Sequence, residues 1–305
     1  MQREKGLVSV IIPCYNHGAY IRDTLQSILM QTYHNYEVII VDDGSDDFLT
    51  MEVLANINYP NVTVLHKTNG HVSSARNHGI KASTGEYILT LDSDDMFEPT
   101  FLEKAVKVLE NQNEIGVVTC YAYRFNQKGK IGTSFVKGGE IKDFLARNNC
   151  LASALFFYHC WEEAGGYNEN LRNGCEDWDF WLSVTSAGWK VYSIPEFLYW
   201  YRKMPDSMYA QSRAQRPETI KQIVKKHEEV YRLYVVDAMY QKELRNQSLI
   251  NKIIGSNSYK IGNIICAPLK ALQNLSLKKG SKKTKPVLDD NRAEKNNVLY
   301  ESIEN

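Results

Sequence analysis

The chain has 305 residues, and its 36 Lys plus Arg balance 36 Asp plus Glu to a formal net charge of +0, so no whole-molecule basic field draws it to nucleic acid. With 43% hydrophobic and 24% charged residues it has the composition of a globular protein, long enough for one large core and an appendage. Six scattered cysteines without a CxxC pair fit a reducing compartment better than a disulfide framework, and seven histidines without HExxH spacing argue against zinc.

Met1 to Gly6 leads straight into the apolar run Leu7 to Ile12, with no signal peptide expected before it. That run is short and β-branched, reads as a strand, and stops at Pro13-Cys14-Tyr15-Asn16. Tyr20 to Gln31 carries Ile21, Leu25, Ile28 and Leu29 at helical spacing. A second strand, Tyr36 to Val41, ends at Asp42-Asp43-Gly44-Ser45-Asp46-Asp47, and Thr50 to Ile57 repeats the helical pattern less clearly. After the loop Asn69-Gly70-His71, Ala75 to Ala82 reads as a short helix; Glu86 to Leu91 is then a strand ending at Asp92-Ser93-Asp94-Asp95. Strand and helix alternate, which predicts an α/β fold with a mostly parallel sheet, flanked by helices, whose working edge lies at the strand C-termini.

Carboxylates packed as closely as Asp92, Asp94 and Asp95 stay ionised together only when water or a cation screens them, and hard oxygen donors suit Mg²⁺ or Mn²⁺. A divalent ion on a diphosphate is one explanation. A solvated acidic turn, with Asp94 or Asp95 as N-cap ahead of Glu98 and Pro99, is the other. Further on, Phe101 to Asn111 reads as a helix, and Val117 to Tyr121 and Leu198 to Tyr201 as strands.

The blocks VSVIIPCYN (Val8 to Asn16), VDDGSDD (Val41 to Asp47), ARNHGIKASTGEYILTLDSDD (Ala75 to Asp95) and CEDWDFW (Cys175 to Trp181) together resemble the family 2 glycosyltransferases, over roughly the first 205 residues. The resemblance implies a GT-A fold, a nucleotide-diphosphate sugar as donor, a divalent cation, and transfer with inversion at the anomeric carbon. It implies that Pro13, Tyr15, Asn16, Asp42, Asp43, Arg76, Asn77, Asp92 and Ser93 bind the donor, with Tyr15 stacking on the base and Arg76 meeting diphosphate or base. Asp94, with Asp92, would ligate Mn²⁺ or Mg²⁺.

An inverting transfer needs a base for the acceptor hydroxyl, and a carboxylate is the usual solution. The resemblance assigns it to Asp177, whose aromatic neighbours could raise its pKa. Glu176, Trp178 and Trp181 would meet the acceptor, with core packing as the alternative for the two tryptophans. The segment Glu163 to Asn173 would approach the acceptor too. A UDP-sugar donor and a saccharide or lipid-linked acceptor in cell-surface polysaccharide synthesis are the expected substrates. The rivals are a metal-dependent nucleotidyltransferase and a non-catalytic sugar-nucleotide binding module.

The expected organisation is a catalytic domain over 1–205, with the donor side about 1–95 and the acceptor side about 96–205, then a helical basic extension over 206–285 and a disordered tail over 286–305. Pro205 to Ala214 reads as a polar loop. Pro217 to Gln247 reads as a helix with Ile220, Ile223, Val224, His227, Val230, Tyr231 and Tyr234 on one face. From Lys252 to Lys285 lysines recur without Asp or Glu among isoleucines and leucines, which fits either an anionic inner-leaflet surface or a helix packed on the domain. No apolar stretch approaches the ~20 residues that span a bilayer, so a cytoplasmic protein, peripheral to the inner face of the membrane, is expected.

Overall fold

The computed structural model describes residues 3–204, 214–257 and 260. They belong to two compact units, Met1–Glu243 and Leu244–Asn305.

In the first unit the elements run β1 (Glu4–Cys14), α1 (Ile21–Leu29), β2 (Tyr36–Asp42), α2 (Phe48–Ala55), β3 (Val62–His66), α3 (His71–Ala82), β4 (Gly85–Thr90), β5 (Met96–Phe97) and α4 (Phe101–Asn111). There follow β6 (Ile115–Asn126), β7 (Gly129–Ser134), β8 (Gly138–Gly139), α5 (Ile141–Phe144), β9 (Leu155–Phe157), α6 (Tyr158–Glu163), α7 (Glu176–Ser186), β10 (Lys190–Arg202), α8 (Arg216–Lys226) and α9 (Glu228–Leu233). A last helix, α10 (Val235–Gly255), runs across the boundary between the units.

The strands form one sheet in the order β3-β2-β1-β4-β9-β6-β10-β5, with β7 on β6 and β8 on β10. β1 pairs in parallel with β2 and β4, β2 with β3, and β6 with β10. The short strands β5, β7, β8 and β9 are antiparallel to their neighbours. The chain moves outward from β1 through β2 to β3 and then returns to the other side of β1 as β4. That reversal opens a crevice at the C-terminal ends of β1 and β4, where such sheets bind ligands.

Alternation along the strands sends Val8, Val10 and Ile12 into one core with Ile21, Leu25 and Phe101, while Ile11, Ile39 and Val41 join another with Ile80, Phe180 and Trp181. Helices therefore cover both faces. Gly79 permits one close contact of this kind, because a Cβ there would stand 2.6 Å from Ile11 Cγ2. That approach seats α3, and with it Arg76, against β1 and β2.

Two helix starts differ from expectation, each beside a loop carboxylate. α2 begins at Phe48 because the Asp47 carboxylate accepts from Thr50 N at 2.9 Å. α3 begins at His71, four residues before the expected Ala75, with Gly70 N donating to Asp43 Oδ1 at 3.0 Å. The helix expected over 217–247 is divided into three, α8, α9 and the start of α10. Its predicted apolar face does pack, with Ile223 buried and Ile220, Val230, Tyr231 and Tyr234 against the core. The first unit thus runs to Glu243, past the boundary expected at 205.

In the second unit the described residues continue α10 to Gly255, with Leu249, Ile250, Ile253 and Ile254 exposed. Most of the basic stretch 252–285, and all of the tail 286–305, lie outside the described residues. Among those described, no helix is long and apolar enough to cross a membrane.

Candidate active site

The loops after β1, β2 and β4 line the crevice and hold one another in place. His17 Nδ1 and Ser93 Oγ are 2.8 Å apart, and Thr24 Oγ1 donates to Ser93 O at 2.9 Å, which ties the β1 loop and α1 to the acidic loop. Asn16 Nδ2 donates to Asp46 Oδ1 at 2.7 Å, joining the first loop to the second. Non-glycine residues with positive φ occur at Asn16, His71 and Cys175, the ends of β1 and the starts of α3 and α7. Such conformations persist where the surroundings fix them, and they cluster at functional sites.

Arg76 is the centre of the arrangement. It is 1% exposed; its Nη2 donates to Asp92 Oδ1 at 2.6 Å and its Nη1 to Glu176 Oε1 at 3.0 Å. Burial works against its charge, yet the two carboxylates more than restore it and hold its pKa above the usual value. This one guanidinium therefore draws the end of β4 and the first turn of α7 together. Its Nε has no hydrogen-bond partner.

Asp177 follows Glu176 on the first turn of α7. Its carboxylate accepts from Asn148 Nδ2 at 2.7 Å and from Trp178 N at 2.8 Å. Burial, then the charge of Glu176, push its pKa up to about 7 against the pull of Arg76, and Asp92 adds a smaller push. Asp94 is also raised, first by burial and then by the charge of Asp92. The Tyr201 hydroxyl is raised by burial and by Asp95, Asp92, Asp94 and Asp177, so the four acids share one electrostatic neighbourhood. Among the described residues, no group of three or more His, Cys, Asp and Glu side chains is arranged to hold a metal ion unaided.

Several expected site residues have other partners. Asn77 accepts from Trp161 Nε1 and Tyr167 N and donates to Tyr167 O and Glu169 Oε1, which uses every hydrogen bond its amide can make. It anchors α3 to the Glu163–Asn173 segment and has nothing left for a donor. Trp178 and Trp181 are 4% and 0% exposed, with indole N–H groups donating to Phe144 O and Leu151 O, so they are core and cannot floor an acceptor. Arg76 Nη1 and Nη2 each bond a protein carboxylate. Pro13 is buried within β1, opposite Val41.

Tyr15, by contrast, is 44% exposed on the crevice rim. Asp42 binds Ser45 N and His66 Nδ1, and Asp43 binds Lys67 Nζ and Gly70 N, so both carboxylates shape their loop. Asp95 is fully buried and accepts from Tyr199 Oη and Arg202 N, a structural link from the acidic loop to β10.

Sequence reasoning missed His17, Asn148, Tyr201 and Arg202. His17 lies one residue past the first motif and was within reach of it; the other three come from loops and strands without a motif. Asp179, also on the first turn of α7, is fully buried and paired with Lys226 and His227 at 2.5 and 2.9 Å, which fastens the end of α8 to α7.

A mixed sheet with acids at the switch point of its parallel strands, and a second acidic motif on a facing helix, is the arrangement of a GT-A-type transferase fold. The family model described as "Glycosyl transferase family 2" matches residues 9–161, just over half of the chain, and the chain belongs to that family. It is 27% identical over 276 residues to an uncharacterized glycosyltransferase of Haemophilus influenzae, covering 84% of this chain and 85% of that one. It is 32% identical over 191 residues to the chondroitin synthase of Pasteurella multocida, 60% of this chain but 19% of the synthase. The chain spans only 26% to 30% of the length of three Rickettsia glycosyltransferases that it also matches. The crystal structure of S. aureus TarS 1–349 in complex with UDP-GlcNAc has the same fold, with TM-score 0.56 and 22% identity, covering 66% of this chain and 60% of that one.

Proposed function

We propose that this protein transfers a sugar from a UDP-sugar to a hydroxyl of a saccharide or lipid-linked acceptor in cell-surface polysaccharide synthesis, with inversion at the anomeric carbon. The Arg76 bridge carries this reading: it gathers Asp92, whose loop neighbour is Asp94, and Glu176, whose helix neighbour is Asp177, into one crevice. Tyr15 offers its exposed ring to the base, a contact worth about 1–3 kcal/mol. The UDP-GlcNAc bound to the TarS structure supports a uridine donor.

Asp94 fits Mn²⁺ or Mg²⁺: it is a hard oxygen donor whose pKa is raised by burial and then by the charge of Asp92, and a bound cation would favour its ionised form. Asp92, on the same loop, would hold the ion with Asp94 and the diphosphate. When bound, the cation supplies charge neutralisation at the leaving diphosphate. Asp177 accepts the proton of the acceptor hydroxyl as that oxygen attacks, and a pKa near 7 suits a base at neutral pH. Asn148 orients this carboxylate, and Glu176 holds the α7 terminus on Arg76. A cytoplasmic position on the inner face of the membrane, through residues 252–285, belongs to the same proposal.

A nucleotide-sugar panel tested by thermal shift with MnCl₂ checks it. A ligand at about 100 times its Kd adds ~2.7 kcal/mol, or roughly 4 °C for a chain of this size. UDP-sugars are expected to give that shift; silence across the panel would reject the function.

A further inference from the structure

The C-terminal half of β10, which reaches the acidic loop through Tyr199 and Arg202, is paved on one face with aromatic rings. β10 sets Phe197 opposite Tyr121, Trp200 opposite Tyr123 and Arg202 opposite Phe125 on β6. The rings touch in sequence: Phe135 to Tyr121 at 5.0 Å between centroids, Tyr121 to Phe197 at 5.6 Å, and Phe197 stacked on Tyr123 at 4.7 Å and 12°. Trp200 then lies 4.7 Å from Tyr123 and 5.7 Å from Phe125. Phe135 is 63% exposed and the others are half-buried, so this is an apolar strip that water reaches. Contiguous exposed patches of this kind mark binding surfaces.

The strip is continuous with the candidate active site. Arg202 Cζ stands 4.5 Å from the Phe125 ring centroid, and Arg202 Nε donates to Asp94 O at 2.7 Å. Trp200 also lines an open groove of about 400 Å³ with Met30, Met96 and Pro99, and Met96 lies two residues beyond Asp94.

Charge narrows the ligand. Lys130 Nζ sits 3.5 Å over the Tyr123 ring and, among the described residues, forms no ion pair, while Lys128 and Lys137 are exposed on either side of β7. The neighbouring acids are engaged: Glu196 with Lys104, Asp23 with Arg202, and Glu98 with the Trp200 N–H. Flat rings match the C–H faces of pyranose units, and ammonium groups that pair with no carboxylate among the described residues match carboxylates or phosphates on them. The rings lie packed on one another along the sheet and do not project as wedges, which favours a linear polymer over a bilayer.

The geometry points to this strip as a site for an acidic saccharide chain, holding the acceptor so that its end enters the crevice at Arg202. This rests on the transferase reading above for the word acceptor alone.

Calorimetry of the full chain against a hyaluronan decasaccharide as acidic probe, maltodecaose as neutral probe, and phosphatidylglycerol vesicles tests it. The acidic decasaccharide is expected to bind, and Phe197→Leu and Lys130→Gln are each expected to weaken it at least fivefold with Tm and UDP-sugar hydrolysis unchanged. Binding by the variants equal to wild type, no binding of the decasaccharide, equal affinity for maltodecaose, or binding of vesicles in its place would overturn the site. Saccharide binding that the variants lose, in a protein that hydrolyses no nucleotide-sugar, would uphold the strip while rejecting the transferase reading.

Discussion

The pH dependence of the reaction follows from the surroundings of Asp177. Its carboxyl is pushed from an ordinary 3.8 up to about 7, chiefly by burial and then by Glu176. A base must be ionised, so kcat/KM is expected to fall about tenfold per pH unit below 7, stand near half its maximum at 7, and level off above about pH 8. The same shift makes a stability prediction of definite sign. Between about pH 4 and 7 the folded state keeps a proton that the unfolded chain has released, so stability falls as pH rises through that window. Three units at ~1.4 kcal/mol each set an upper limit of about 4 kcal/mol, and partial solvent access lowers it. Asp177→Asn removes this penalty, so at pH 8 the variant is expected to melt several degrees above wild type while at pH 4 the two coincide. Scanning calorimetry at both pH values, with a kcat/KM profile of the wild type, checks both halves. A rate flat from pH 5.5 to 8, or a variant that melts lower at pH 8, would refute the reasoning.

Arg76→Met leaves Asp92 and Glu176 without their shared partner; a broken buried pair costs about 3–5 kcal/mol, so a large drop in Tm and loss of transfer are expected in melting and activity assays. Trp181→Ala is expected to cost about 3–5 kcal/mol of stability in denaturant unfolding, because the ring is core; a raised acceptor KM at unchanged stability would instead restore it to the acceptor site. Asp94→Asn is expected to weaken Mn²⁺-dependent UDP binding at least tenfold by calorimetry without lowering Tm, and an unchanged affinity would remove Asp94 from the site.

The parallel strands β1, β2 and β4 were legible in the sequence because they are continuous apolar runs that stop at polar turns, as with Leu7 to Ile12 and Tyr36 to Val41, whereas β3, the five residues Val62–His66, was not. The acids at their ends were legible for the same reason. The short antiparallel strands β5, β7, β8 and β9 were not, since two to six residues carry too little pattern to separate from turns. Residue type also could not say which way a side chain faces. Trp178 and Trp181 look like sugar platforms in sequence, yet their positions on α7 turn them inward, while half-buried rings that solvent reaches lie on β6 and β10 in segments without a motif. Arg76 and Asn77 belong to a recognisable block, but their partners are up to 100 residues away, and only the folded chain shows that they organise the crevice from within.

Asp177→Asn, assayed in one preparation for sugar transfer and for UDP-sugar binding, tests the proposed base most directly. Transfer is expected to drop at least a thousandfold, because general base catalysis and the acceptor-side charge are lost together, while the Kd for the donor stays within about twofold. Turnover at the wild-type rate by this variant would contradict the assignment of the base, and loss of donor binding alongside transfer would contradict the division of the crevice into donor and acceptor sides.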